Sequence, residues 1–102
     1  MLDLRPSCEH CDKDLPPKSH EACICTFECT FCADCAHGVF ENVCPNCGGG
    51  FVPRPVRPSQ AWKAPWWLGE NPASTKRIHR PKDVEAHREF AQQLKKIAPH
   101  HR

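Results

Sequence analysis

The sequence predicts a small, metal-stabilised α+β protein with two zinc sites. The chain has nine cysteines in 102 residues, and eight of them stand at spacings typical of metal ligands. Two residues between cysteines let one tight turn direct both sulfurs toward a single ion. Eight thiols are enough for two tetrahedral sites, so we expect two Zn²⁺ ions per chain. The predicted ligands are Cys8, Cys11, Cys25, Cys29, Cys32, Cys35, Cys44 and Cys47.

A secreted, disulfide-bonded protein is the competing interpretation of so many cysteines. An odd number of cysteines fits disulfide pairing poorly, and the N-terminus has no apolar run of signal-peptide length. No stretch of the chain is apolar enough to predict a membrane span. We therefore expect a reducing, cytoplasmic environment and no membrane partner.

Residues 1–52, here called the head, form the first predicted unit. After the Cys8–Cys11 turn, Pro16 and Pro17 exclude helix and predict a loop. Residues 22–27 are the best strand candidate, and alternation along that strand would place Cys23 and Cys25 on one face. The pattern does not choose between these two thiols, so Cys23 is the alternative metal ligand to Cys25.

The second half of the head should contain a short helix, a metal-binding turn and a strand. Residues 36–40 predict the helix, which Gly38 weakens. Residues 43–48 predict the turn, and Phe51 with Val52 can pair with the earlier strand. Large apolar side chains are few in the head. A structural zinc contributes roughly 10–16 kcal/mol of apparent binding energy, so metal rather than apolar burial should hold the head together.

The run Cys29-Thr30-Phe31-Cys32-Ala33-Asp34-Cys35, followed by Cys44-Pro45-Asn46-Cys47, resembles a RING finger. The resemblance implies a cross-braced treble clef in which alternate ligand pairs share an ion. It implies one site made by Cys8, Cys11, Cys32 and Cys35 and a second made by Cys25, Cys29, Cys44 and Cys47. We expect this chain to share the fold of a RING finger but not its ubiquitin-ligase activity, because fold does not imply activity.

Residues 1–57 also resemble a bacterial family of short cysteine-rich proteins of unknown function. The opening MLDLRP, the run FECTFCADC and the turn CPNCGG carry this second resemblance, which extends through Arg57. It implies a bacterial protein and indicates no activity.

Three other arrangements of the cysteines are compatible with their spacing. The ligands could be used consecutively, with the first four on one ion and the last four on another. The triplet Cys29, Cys32 and Cys35 has the spacing of a bacterial ferredoxin, which would hold an iron–sulfur cluster. The turn from Cys44 to Cys47 also resembles a rubredoxin knuckle, which would hold a single redox iron.

Residues 53–81 predict an irregular, basic linker rich in proline and tryptophan. Trp62, Trp66 and Trp67 follow one another closely, and we expect them to pack on the head and complete its small core. Alternatively, they form a docking surface for a protein partner together with basic side chains. The basic candidates are Lys76, Arg77 and Arg80.

Residues 82–98 predict the last unit, an amphipathic helix that begins at Asp83 and stops before Pro99. Val84, His87, Ala91 and Leu94 fall on one stripe of this helix. His87 is expected to pack against the protein rather than to bind metal.

The two halves of the chain carry opposite charge. Residues 1–50 have three basic and eight acidic side chains, a net charge of −5, whereas residues 51–102 have eleven and four, a net charge of +7. The tail, residues 53–102, should therefore fold onto the head or bind an acidic partner.

No catalytic constellation is recognisable, and four cysteine ligands leave zinc no open position for water. We therefore expect a non-enzymatic protein-interaction module, an adaptor or regulator with a protein partner. The alternative is nucleic-acid binding by the basic tail, with the zinc sites as a scaffold.

Overall fold

The computed structural model describes residues 1–102, which form a small antiparallel sheet, one α-helix and long irregular segments. The elements in chain order are β1 (Ala22–Ile24), β2 (Thr30–Cys32), a π-helix (Asp34–Val39), β3 (Val52–Pro53), α1 (Val84–Leu94) and a 3₁₀ turn (Pro99–His101). None of the helical segments has the length and apolar character needed to cross a lipid bilayer.

The sheet has the order β2-β1-β3, and β1 pairs antiparallel with both neighbours. Val52 lies opposite Ile24, so the predicted pairing of this segment with the earlier strand is confirmed. The strand predicted to reach residue 27 ends at Ile24. A tight turn replaces its last part, because Glu28 adopts a positive φ of 64° and donates its N–H to the Cys25 carbonyl at 3.0 Å.

Three phenylalanines and several cysteines form the core of the head. Phe31 makes edge-to-face contacts with Phe40 and Phe51, with ring centroids 5.1 and 5.5 Å apart. Leu15 and Val43 are fully buried. Apolar packing of so few side chains is not enough to hold the turns of the head together. Cysteines occupy much of the remaining interior.

The short helix of the head begins earlier than the sequence predicted. It spans Asp34–Val39 and has the wider π geometry, in which the Phe40 N–H reaches back five residues to the Cys35 carbonyl at 2.8 Å. The widened turn starts immediately after Ala33 and places Cys35 inside the helix, with its side chain buried.

Arginine side chains of the tail are anchored on backbone carbonyls of the head. The buried guanidinium of Arg54 donates to the carbonyls of Arg5 at 2.8 Å and Pro16 at 3.1 Å. Arg57 donates to the Leu2 carbonyl at 2.8 Å. The segment that follows β3 is therefore fastened to the head along its first residues.

Helix α1 packs its apolar stripe on the head. The Asp83 carboxylate caps its N-terminus by accepting the N–H groups of residues 85 and 86 at 3.1 Å. His87 and Ala91 are buried, and the His87 Nε2–H donates to the Val43 carbonyl at 2.8 Å. His87 is thus a packed residue, as predicted. The helix ends at Leu94 and is shorter than predicted.

The tryptophans do not complete the core, so that expectation is wrong. Trp62 and Trp66 are 77% and 65% exposed, and Trp67 is half-buried. The linker folds into a closed loop of its own, in which the Leu68 N–H donates to the Pro58 carbonyl at 2.9 Å. Helix α1 packs on the head instead, with His87 and Ala91 buried.

Candidate metal centres

The first thiol group unites two pairs that are distant in sequence. The sulfur atoms of Cys8, Cys11, Cys32 and Cys35 all lie within 4.8 Å of one another. The Cys11 and Cys32 sulfurs are 3.7 Å apart. Four sulfurs at 2.3 Å from a tetrahedral zinc would be separated by about 3.8 Å, so the group has the dimensions of a zinc site.

A turn, the end of a strand and the π-helix position the cysteines of the first group. The turn at Cys8 closes when the Asp12 N–H donates to the Cys8 carbonyl at 3.0 Å, with Asp12 at a positive φ of 64°. Cys32 is the last residue of β2, and Cys35 lies in the π-helix that follows. The sheet and the N-terminal turn therefore meet at this group.

The second group contains Cys25, Cys44 and Cys47, whose sulfurs also lie within 4.8 Å of one another. A tight turn positions the last two, because Gly48 adopts a positive φ of 80° and donates its N–H to the Cys44 carbonyl at 2.8 Å. Backbone N–H groups also approach the sulfurs: Phe27 N is 3.4 Å from the Cys25 sulfur, and Gly49 N is 3.4 Å from the Cys47 sulfur.

Cys29 lies beside the second group without joining the three sulfurs that all approach one another. A hydrogen bond with Cys44 lowers the pKa of the Cys29 thiol to about 5, and the same contact raises the pKa of Cys44. Burial raises the pKa of Cys25 to about 11. A thiolate at Cys29 that accepts hydrogen bonds from neighbouring thiols is suited to become the fourth ligand.

The grouping distinguishes between the arrangements that the sequence left open. Cys8 and Cys11 lie with Cys32 and Cys35, so the consecutive arrangement does not occur. The ferredoxin-like triplet is also divided, since Cys29 is not a member of the group that contains Cys32 and Cys35. The two groups are interleaved along the chain.

Cys23 lies outside both groups. It is buried, which raises the pKa of its thiol, and its sulfur is 3.9 Å from His37 Nε2. The expectation that Cys23 and Cys25 share one strand face fails because β1 ends at Ile24, before Cys25. The chain turns there and carries Cys25 into the second group.

A buried carboxylate that the sequence did not predict connects the Cys8–Cys11 turn to the Cys44–Cys47 turn. Glu9 follows Cys8, and its Oε1 accepts from Asn46 Nδ2 at 3.0 Å and from Lys82 Nζ at 2.8 Å. The Glu9 side chain is only 6% exposed. Asn46 precedes Cys47, and Lys82 precedes α1, so one carboxylate joins both thiol groups to the tail. A single glutamate in a C-x-x-C turn carries no sequence signal for such a role.

We expect Glu9→Gln to lower the free energy of unfolding of the zinc-saturated protein by about 1–3 kcal/mol, because it leaves the half-buried Lys82 ammonium without its counter-ion. Urea unfolding at a fixed free-zinc concentration measures the change. The matched control is Glu21→Gln, which removes an exposed ion pair with Lys13 and should have little effect. Equal effects of the two substitutions would show that Glu9 has no special structural role.

The predicted basic cluster is divided between two roles. Arg77 binds the head through Asp12 at 3.1 Å and Asp14 at 2.7 Å. Lys76 and Arg80 are exposed and form no ion pair. Part of the tail's positive charge is therefore neutralised by the acidic head, as the opposite charges predicted.

Comparison with known proteins identifies similar chains whose activity is not defined. Residues 1–57 match the family described as "Protein of unknown function (DUF1272)". The chain is 57% identical over 81 residues to "Uncharacterized protein R02474" of Rhizobium meliloti (strain 1021), which covers 79% of this chain and 89% of that relative. No solved structure matches the chain. The family match ends at Arg57, where the sequence resemblance also ended.

Proposed function

The chain belongs to the DUF1272 family, and for this member we propose a role as a zinc-binding protein-interaction module, an adaptor or regulator rather than an enzyme. The observation that carries the proposal is the pair of interleaved thiol groups. We further propose that two zinc ions in these groups make a cross-braced, RING-like treble clef.

The composition of the thiol groups supports structural zinc. A site made of four cysteine thiolates is saturated, so it offers no position for a substrate or an activated water molecule. Each group joins chain segments more than ten residues apart, and the apolar core between them is small. Cys29 completes the second site in this proposal, since it is buried beside the second group and is the eighth thiol at ligand spacing. Thiols kept free for metal imply a reducing compartment, which supports the cytoplasm.

Two zinc ions per chain are the expected result of native mass spectrometry on protein purified under reducing conditions. Elemental analysis should find zinc without iron, and the solution should be colourless. A mass showing one ion would contradict the two-site proposal. Red colour with iron bound would instead support a rubredoxin-like site, because four thiolates also bind iron.

Exposed tryptophan side chains in the tail support an interaction role. Trp62 and Trp66 are largely open to solvent on a loop that is fastened to the head, and exposed tryptophans are common at protein interfaces.

Nucleic-acid binding is the second candidate, and the free charges of Lys76 and Arg80 favour it. The acidic head opposes it, because the net charge of −5 over residues 1–50 repels a polyanion. The two roles differ in their response to salt. Sub-micromolar binding of an oligonucleotide that weakens steeply with salt and is lost in Lys76→Ala/Arg80→Ala would establish the second candidate. Absence of binding at low salt would exclude it.

A further inference from the structure

A groove separates the proline turn of the head from the closed loop that carries Trp62. Its cavity volume is about 390 Å³, which lies within the range of small-ligand sites. The apolar side chains that line it are Pro16, Pro17, Val56, Pro58, Trp62 and Leu68. One wall therefore belongs to the head and the other to the tail.

Hydrogen bonds hold both walls in place without a ligand. The Leu68 N–H donates to the Pro58 carbonyl at 2.9 Å and closes the loop. Arg57 at the base of the loop donates to the carbonyls of Asn71 at 2.7 Å and Leu2 at 2.8 Å. Three prolines add backbone rigidity. A partner that enters such a groove loses little free energy to ordering of the protein.

The groove has uncompensated positive charge. Lys18 and Arg57 line it, no acidic side chain does, and neither cation forms an ion pair. Arg57 contacts only neutral carbonyls, which leave its charge in place. Three other tail cations, Arg77, Lys82 and Lys95, pair with carboxylates of the head, whereas Lys18 and Arg57 line the groove without such a partner.

We propose that this groove binds an extended, proline-containing peptide segment that carries a carboxylate. The flat face of Trp62 and the proline walls match the surface of a polyproline II helix, and the carboxylate supplies the charge that Lys18 and Arg57 lack. A short acidic peptide places its charge at the groove alone, whereas a nucleic acid would extend its phosphates along the acidic head. This inference rests on the proposed interaction role and names the chemistry of the partner.

The test uses the zinc-loaded full chain and the peptide acetyl-Pro-Glu-Pro-Pro-Glu-Pro-amide, followed by ¹H–¹⁵N correlation spectra. Shifts should be confined to residues that line the groove. Trp62→Ala should weaken binding roughly tenfold or more, since a tryptophan at the centre of an interface carries a large share of the binding energy. Trp66→Ala is the matched control, because Trp66 is similarly exposed but does not line the groove, and it should leave the affinity unchanged.

Charge is tested by a second pair of changes. Lys18→Glu should weaken binding of the glutamate peptide and not of the same peptide with glutamine, and Lys76→Glu serves as the control outside the groove. Equal binding of a lysine-substituted peptide, equal losses in Trp62→Ala and Trp66→Ala, or no shifts at millimolar peptide would overturn the proposal. Displacement of the peptide by oligo(dT) at the same residues would assign the groove to nucleic acid. Zinc content measured on the same samples separates failure of this inference from failure of the zinc-module proposal.

Discussion

Removal of zinc is expected to unfold the head. The two thiol groups bring together the N-terminal turn, the sheet and the Cys44–Cys47 turn, and the apolar core that remains is too small to hold these segments alone. A structural zinc contributes roughly 10–16 kcal/mol of apparent binding energy, which is as large as the total stability of a typical small domain. The metal-free chain should therefore populate the unfolded state.

Near-ultraviolet circular dichroism and ¹H–¹⁵N spectra measured after chelation and again after zinc is restored provide the test. We expect dispersion of the amide signals of residues 1–52 to collapse and then to return. The matched control adds chelator that is already saturated with zinc, which tests for effects of the chelator itself. Spectra that stay native after complete removal of metal would show that apolar packing is sufficient.

The second large effect is expected from Cys25→Ser, which should remove one zinc ion and destabilise the head by several kcal/mol. Cys25 lies in the second thiol group, and a serine hydroxyl is a poor zinc ligand. Loss of one ligand also releases the turn that follows β1 from its connection to Cys44 and Cys47. Native mass spectrometry counts the remaining ions, and urea unfolding at fixed free zinc measures the stability.

Cys23→Ser is the matched control, because the two thiols are both buried and only two residues apart. Cys23 contacts His37 and neither thiol group, so its variant should keep both zinc ions and lose only about 1 kcal/mol. If both variants lost one zinc ion to the same extent, the assignment of Cys25 would be wrong or the two thiols would exchange at the site.

The grouping of the cysteines was the part of this protein that could be predicted best from the sequence. A C-x-x-C turn is local, so its spacing predicts that both sulfurs face one point whatever the rest of the chain does. The pairing of distant turns is not local, and residue spacing alone left it open. The resemblance to a RING finger favoured the interleaved arrangement, which the structure adopts for seven of the eight predicted ligands.

The sequence predicted that a helix and a sheet form, but it did not predict the residues at which they end. Asp83 marks the start of α1 through a side-chain cap, a signal present in the sequence itself. The end of β1 at Ile24 has no such signal, because it depends on the turn that brings Cys25 to Cys44. Because the chain turns after Ile24, Cys25 and not Cys23 joins a thiol group.

The sequence by itself determined which residues could bind metal and where the α-helix begins. It also determined that the two halves of the chain carry opposite charge and can attract each other. Only the tertiary structure decided that Arg77 meets that surface, that Glu9 links the two thiol groups and that Trp62 stays exposed beside a groove. The first set follows from chemistry and spacing within a few residues. The second depends on contacts between residues 37 to 65 positions apart in the chain, which no local pattern records.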